Sequence, residues 1–176
     1  MMMAALMYTQ DYDQRLPIYY AYYPAPGVTW PGGGVSRNVT WMVLIHPYVK
    51  NQGVFDCPSS EVRWNGNYAQ QTSYGWNRAL MHYSPLMYAF RMRDVAEPAS
   101  HPALADTAGP ISFWVRDTIQ VTSGGPDGYV DDRHNGGANI GFLDGHAKWA
   151  GFNLEENLSN LRNDIPGVSP WWRARP

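Results

Sequence analysis

The segment Arg133–Trp149 constrains the fold more than any other part of the chain. Within it, Asp144–Gly145 separates two stretches of alternating polarity. Asp-Gly is favoured in a two-residue type I′ turn because both central positions take positive φ. The segment therefore predicts an antiparallel hairpin in which Leu143 faces His146. In that register one apolar face of the hairpin holds Ile140, Phe142, Ala147 and Trp149.

Composition limits the fold and the partners. The 176 residues are enough for one domain with a substantial core. Only 16% of residues are charged and the formal net charge is -2, so we expect neither nucleic-acid binding nor a polybasic membrane anchor. The 17 glycines, 14 prolines and 14% aromatic content indicate long loops pinned by large side chains. Cys57 is the single cysteine, which gives no basis for an internal disulfide or a cysteine-based zinc site.

The remaining segments predict a mixture of helix, loop and antiparallel sheet. Met1–Tyr8 is apolar all round but far shorter than the ~20 residues that span a bilayer, so it indicates the end of a longer, missing helix. Pro17 makes helix unfavourable beyond about Leu16. We expect a long ordered loop over 18–38, a short helix over 39–49 and an extended edge or turn over 54–58. Strands are predicted near 73–76 and over 102–107 and 113–121.

Several separated pieces of the chain, taken in order, resemble one family. His134 is followed, after nine residues, by Asp144–Gly145. The other pieces are 5–17, 48–59, 73–77 and 98–106. Together they resemble the bacterial prepilin-like proteins, which are similar to type IV pilins and to the pseudopilins of type II secretion.

This resemblance implies an α+β, pilin-like fold. A largely missing N-terminal helix, of which residues 1–16 are the remnant, would pack on a small antiparallel sheet. Residues 17–176 would form a single globular domain with long aromatic, proline- and glycine-rich loops.

The resemblance also implies a function. The chain would be a non-catalytic structural subunit of an extracellular or cell-surface filament, partnered by itself or by other pilin-like subunits. Membrane contact would come only through the missing helix. The subunit-contact candidates are Met1, Met2, Met3, Leu6, Met7, Tyr19, Tyr20, Tyr22 and Tyr23.

Some polar residues allow other interpretations. We expect structural roles for the signature residues Asp106, His134, Asp144 and Gly145, with turn chemistry at Asp144. A metal-dependent hydrolase built on Asp106, His134, Asp144 and His146 is the least favoured function, since no helix-borne metal motif is present. No cofactor is expected, although Asp127, Asp131 and Asp132 are weak calcium candidates.

Two further features leave alternatives open. Nothing in the sequence supplies an activating base for Cys57, so a buried or unpaired thiol is the simpler interpretation. The resemblance also implies that its disulfide partner was lost with the missing helix. The tyrosines of 19–23 favour loop packing, a subunit interface or a sugar-stacking platform. The last of these is the alternative function, a monomeric surface-binding module.

Overall fold

The computed structural model describes residues 1–18, 20–66, 72–77, 80, 90–107, 112–113 and 130–151. Within these ranges the α-helices are α1 (Met2–Asp11) and α2 (Trp41–Ile45). Short 3-10 helices lie at His46–Tyr48, Gln52–Phe55, Met92–Asp94 and Pro98–Ser100. The strands are β1 (Tyr20–Tyr22), β2 (Val28–Thr29), β3 (Val35–Ser36), β4 (Asn38–Thr40), β5 (Tyr74–Asn77), β6 (Pro102–Asp106), β7 (Ser112–Phe113), β8 (Gly137–Phe142) and β9 (Ala147–Gly151).

A five-stranded sheet with the order β7-β5-β6-β8-β9 forms the centre of the fold. The predicted strands near 73–76 and over 102–107 are confirmed as β5 and β6. The predicted antiparallel pairing holds for β5–β6, β6–β8 and β8–β9, whereas β5 and β7 run parallel. The mixture of helix and antiparallel sheet confirms the α+β class. Residues 114–121 of the third predicted strand lie outside the described residues.

An N-terminal helix is present: α1 lies within the segment 1–16 that the sequence predicts as helical. Helix α1 ends at Asp11, earlier than the limit at Leu16. It stops there because Asp13 and Gln14 take positive φ values of 51° and 62°, which no α-helix accommodates. Its buried residues are Met2, Ala4, Ala5, Tyr8 and Thr9, and the apolar ones among them belong to the main core.

Helix α1 approaches the sheet closely at Gly141 in β8. A Cβ atom at Gly141 would lie 2.6 Å from Met2 Cγ. Glycine therefore leaves room for the methionine side chain against the strand. The contact fixes the distance between the helix and the sheet.

Aromatic side chains hold the loops in place by packing against one another, as the composition predicts. Trp41 of α2 stacks on Trp76 at 6.0 Å and lies 5.9 Å from Phe55, which in turn contacts Trp64 at 4.7 Å. The predicted loop over 18–38 also contains strands, since β1 pairs with β4 and β2 pairs with β3. The predicted helix over 39–49 is shorter for the same reason: its first residues, Val39 and Thr40, are paired in β4.

The hairpin of β8 and β9 is present, but its predicted register is wrong by one residue. Gly141 pairs with Ala147 and Ile140 with Lys148. The loop has three residues rather than two: the Gly145 N–H donates to the Phe142 carbonyl, and the Phe142 N–H donates to the His146 carbonyl.

Leu143 explains the longer loop. Its side chain is buried in the core, and its N–H donates to the His101 carbonyl at 3.0 Å. At the turn only Gly145 takes positive φ, at 99°, as in hairpins with three-residue loops. Trp149 therefore pairs with Asn139, apart from the buried Ile140 and Phe142, and is 50% exposed.

We expect Gly145→Val to lower the free energy of unfolding by about 1 kcal/mol or more, because a β-branched residue is strained at positive φ. Ala147→Val, on the same hairpin but without positive φ, is the control and should stay within about 0.5 kcal/mol of the parent. Urea unfolding measures both. Equal stability of the two variants would contradict the turn assignment.

The contact of Met2 with Gly141 predicts coupling between these residues. Gly141→Ala should destabilise the chain by about 1–3 kcal/mol through overpacking. Met2→Ala removes the opposing atoms, so the double variant should lose less stability than the sum of the two single losses, by about 0.5 kcal/mol or more. A double-mutant cycle in urea measures this coupling. Additive losses would show that α1 does not pack against β8 at this point.

Candidate functional site

The fully buried carboxylate of Asp106 ends the central strand β6. Its Oδ2 atom accepts a hydrogen bond from the Asn139 N–H at 2.7 Å, and its backbone carbonyl accepts from the Asp131 N–H at 2.9 Å. Oδ1 accepts no hydrogen bond from the residues that the structure describes. Asp106 therefore joins β6 to both β8 and the segment before it, and one carboxylate oxygen remains available.

His134 lies in the loop that leads into β8. Asn135 and Gly136 after it take positive φ values of 56° and 73°, which turns the chain sharply. The His134 N–H donates to the Gly137 carbonyl at 3.1 Å, and its carbonyl accepts from Trp149 Nε1 at 2.8 Å. These bonds hold the imidazole beside Asp106, with His134 Nε2 3.4 Å from Asp106 Oδ1.

Cys57 completes the cluster from a third segment of the chain. Its carbonyl accepts hydrogen bonds from the Ser60 N–H and from Arg63 Nη1, both at 3.0 Å. Its Sγ atom lies 3.4 Å from His134 Nε2, and the residue is only 1% exposed. Cys57 Sγ, one carboxylate oxygen of Asp106 and one ring nitrogen of His134 lie within 4.8 Å of one another, which makes them possible metal ligands.

The cluster differs from a nucleophilic triad. In a triad the two histidine nitrogens have different partners, one the nucleophile and the other the orienting acid. Here the sulfur and the carboxylate oxygen both face the same nitrogen, Nε2. A single ring nitrogen cannot bridge both groups in the triad manner, so this geometry provides three potential ligands rather than an activated thiol.

Tyr74 lies beside the cluster, opposite Asp106 in the β5–β6 register. Burial, together with smaller effects of the neighbouring Cys57 and Asp106, raises the pKa of Tyr74 to about 12 against the opposing effect of Arg133. The phenol therefore stays protonated at neutral pH and keeps a hydroxyl proton beside the cluster.

Arg133 anchors the loop that carries His134. Its Nη2 atom lies 3.0 Å from Asp131 Oδ2 and donates to the carbonyls of Thr107 and Ser73. Asp131 also accepts from the Arg133 N–H through Oδ1 at 3.0 Å. These contacts fasten the segment before β8 to the end of β6.

The four residues of the hydrolase hypothesis do not form one group. Asp106 and His134 lie in the buried cluster with Cys57, and neither Asp144 nor His146 belongs to that cluster. These two instead pair at the hairpin turn, with His146 Nδ1 2.6 Å from Asp144 Oδ1. Burial acts to raise the pKa of Asp144, but the hydrogen bonds and charge of His146 outweigh it and leave that pKa below its usual value.

The other candidates are dispersed over the described surface and core. Met2 is buried, Met1, Leu6 and Tyr20 are partly buried, and Met3, Met7, Tyr22 and Tyr23 are exposed. Tyr19 and Asp127 lie outside the described residues. Asp131 is paired with Arg133, and Asp132 is half-buried. Calcium binding at these aspartates stays a prediction.

Sequence reasoning missed Cys57 as a member of the cluster and Tyr74 as its neighbour. The inference from a single cysteine did not consider ligands from distant segments. A signal was nevertheless present: three of the separated pieces that carry the family resemblance, 48–59, 98–106 and the His134 signature, each contribute one residue to the cluster, and a fourth, 73–77, contributes the neighbouring Tyr74.

Comparisons of the chain with protein-family models, with curated proteins and with solved structures find no match. Among the helices in the described ranges, none is both long enough and apolar enough to cross a membrane.

The Asp106 carboxylate generates a stability prediction. Asp106→Ala should cost about 1–3 kcal/mol, because the Asn139 N–H loses its acceptor. Asp94→Ala, which removes an exposed carboxylate 3.8 Å from Arg93, is the control and should cost less than about 0.5 kcal/mol. Urea unfolding compares the two. Equal stabilities would show that the bond to Asn139 does not support the fold.

Proposed function

We propose that the chain is a structural, non-catalytic subunit of a pilin-like extracellular filament. The family resemblance and an N-terminal helix packed against a mainly antiparallel sheet support this proposal. Its partners are other copies of this chain or similar subunits.

The exposed apolar face of α1 is the observation that carries the proposal. The helix sequence is apolar on all sides over its first two turns. A helix of this kind is normally buried on all sides. Yet Met3 and Met7, four residues apart on one face, are 66% and 47% exposed. A second copy packing its own α1 against this face would bury both methionines and gain the free energy of removing them from water.

A second exposed surface lies on β1 and the loop after it. Tyr22 and Tyr23 are exposed, and Arg37 lies over the Tyr22 ring, 5.7 Å from its centroid. Arg37 Nη1 also donates to the Tyr22 hydroxyl at 2.8 Å. In the filament proposal this is a further subunit contact, whereas in the alternative it is the binding surface of a monomeric module for carbohydrate or another surface ligand.

The filament proposal predicts that a charge at Met7 prevents association. Met7→Glu places a carboxylate in the apolar contact, where its burial without a partner is unfavourable. Gln10→Glu adds the same charge to an exposed polar position of α1 and is the matched control. We expect filaments or higher oligomers of the parent chain and of the control, but not of Met7→Glu, by electron microscopy and sedimentation velocity.

Two outcomes would contradict the proposal. A parent chain that stays monomeric at every concentration would favour the surface-binding module, which a saturable interaction with polysaccharide would then support. Association unaffected by Met7→Glu would show that the exposed face of α1 is not the contact. Circular dichroism confirms that the variants remain folded.

A further inference from the structure

We propose that Cys57, Asp106 and His134 form a binding site for one divalent transition-metal ion, with Zn²⁺ the preferred ion. The ligand atoms are Cys57 Sγ, Asp106 Oδ1 and His134 Nε2. The site is independent of the filament proposal, since it lies within one copy of the chain.

The spacing of the three atoms suits a tetrahedral ion. Zinc lies about 2.3 Å from sulfur and about 2.0–2.2 Å from nitrogen and oxygen, so tetrahedral ligands are separated by about 3.4–3.6 Å. His134 Nε2 lies 3.4 Å from Cys57 Sγ and 3.4 Å from Asp106 Oδ1. The atoms of the remaining pair, sulfur and carboxylate oxygen, are within 4.8 Å. An ion bound by all three atoms would hold the sulfur and the oxygen at the same tetrahedral separation.

The charges of the ligands are balanced by such an ion. Asp106 is fully buried and Cys57 almost so, and none of the described residues donates a hydrogen bond to Asp106 Oδ1. Burial of an anionic oxygen without a partner is costly. One thiolate, one carboxylate and a doubly charged cation, together with a neutral imidazole, leave no net charge. The neighbouring cation, Arg133, is already paired with Asp131.

The ligand types select the class of ion. Calcium and magnesium prefer sites made of oxygen atoms, whereas thiolate and imidazole favour zinc and related transition metals. Three protein ligands leave one tetrahedral position for water. The His134 side chain is 24% exposed, which gives this otherwise buried site an edge near solvent.

Neighbouring groups orient two of the ligands. The Asn139 N–H donates to Asp106 Oδ2, which leaves Oδ1 free to face the ion. Tyr74 lies opposite Asp106 in the β5–β6 register and close to Cys57, so its hydroxyl is placed to donate to a metal-bound sulfur. Such contacts fix ligand geometry in metal sites, and their loss typically weakens metal affinity about 10- to 100-fold. The ion would tie two loops to the end of β6.

The test is a Co²⁺ titration of the full chain after removal of bound metal with a chelator. Cobalt replaces zinc in tetrahedral sites and reports its ligands in the absorption spectrum. We expect one Co²⁺ per chain, a thiolate-to-cobalt charge-transfer band in the near ultraviolet, intense visible bands of tetrahedral cobalt, and displacement of cobalt by Zn²⁺. Failure to bind, or binding without the thiolate band, overturns the proposal.

Variants separate this site from other histidine and aspartate pairs. Cys57→Ser should abolish the charge-transfer band. His134→Gln should weaken Co²⁺ binding at least about tenfold, because losing a ligand should reduce metal affinity at least as much as losing a group that only orients a ligand. His146→Gln is the matched control, because it removes a histidine that pairs with Asp144 at 2.6 Å, at the turn of the β8–β9 hairpin and outside the cluster. It should leave the titration unchanged. Equal weakening by the control would overturn the proposal.

Tyr74→Phe tests the orienting contact and keeps all three ligands. We expect the tetrahedral spectrum to persist with affinity about 10- to 100-fold weaker. Circular dichroism accompanies each titration. If a ligand variant does not fold, the spectrum of the parent chain tests the proposal by itself. Cys57 is the single cysteine, so a thiolate band can come only from a site that contains it.

Discussion

The buried carboxylate of Asp106 is the interaction on which the rest of the structure depends. Its two oxygens serve different purposes: Oδ2 accepts the Asn139 N–H, and Oδ1 faces His134. The backbone of the same residue accepts the Asp131 N–H. Strand β6, strand β8 and the loop before β8 therefore meet at one residue. Because that residue is fully buried, its contacts are made in a medium that strengthens electrostatic interactions.

The spacing between His134 and Asp144–Gly145 has a physical meaning in this fold. Strand β8 occupies most of the interval, so the spacing sets the distance between its two ends. At one end, His134 belongs to the buried cluster. At the other end, Gly145 lies beside α1, where an added Cβ would be 2.9 Å from Leu6 Cδ1. The signature thus connects the cluster to the contact between helix and sheet. In the proposed filament, that contact sets how α1 is presented to the next subunit.

Local sequence signals predicted the elements better than their register. The alternation around Asp144–Gly145 correctly indicated a hairpin, but Leu143 decided the loop length through its burial and its bond to His101. That bond is a long-range contact with no local signature. Likewise, pairing of Val39 and Thr40 with β1 overrode the helical preference predicted from residue 39 onward.

The candidate site was only half predictable for a similar reason. Asp106 and His134 stood out because each belongs to a recognisable piece of sequence. Cys57 also lies in such a piece, 48–59, but it did not stand out, because a lone cysteine has no spacing to other cysteines from which a metal site is inferred. The cluster exists only once three distant segments fold together, so its members emerge from tertiary structure rather than from a motif.

Amide hydrogen exchange at Asn139, followed by NMR, tests the central role of Asp106 most directly. Asn139 is exposed, yet its N–H donates to a fully buried carboxylate. The account predicts that this amide exchanges as slowly as the amides of β6, since both are released only when the sheet opens. Exchange at the rate of an exposed loop amide would show that the carboxylate does not hold the strands together at this point.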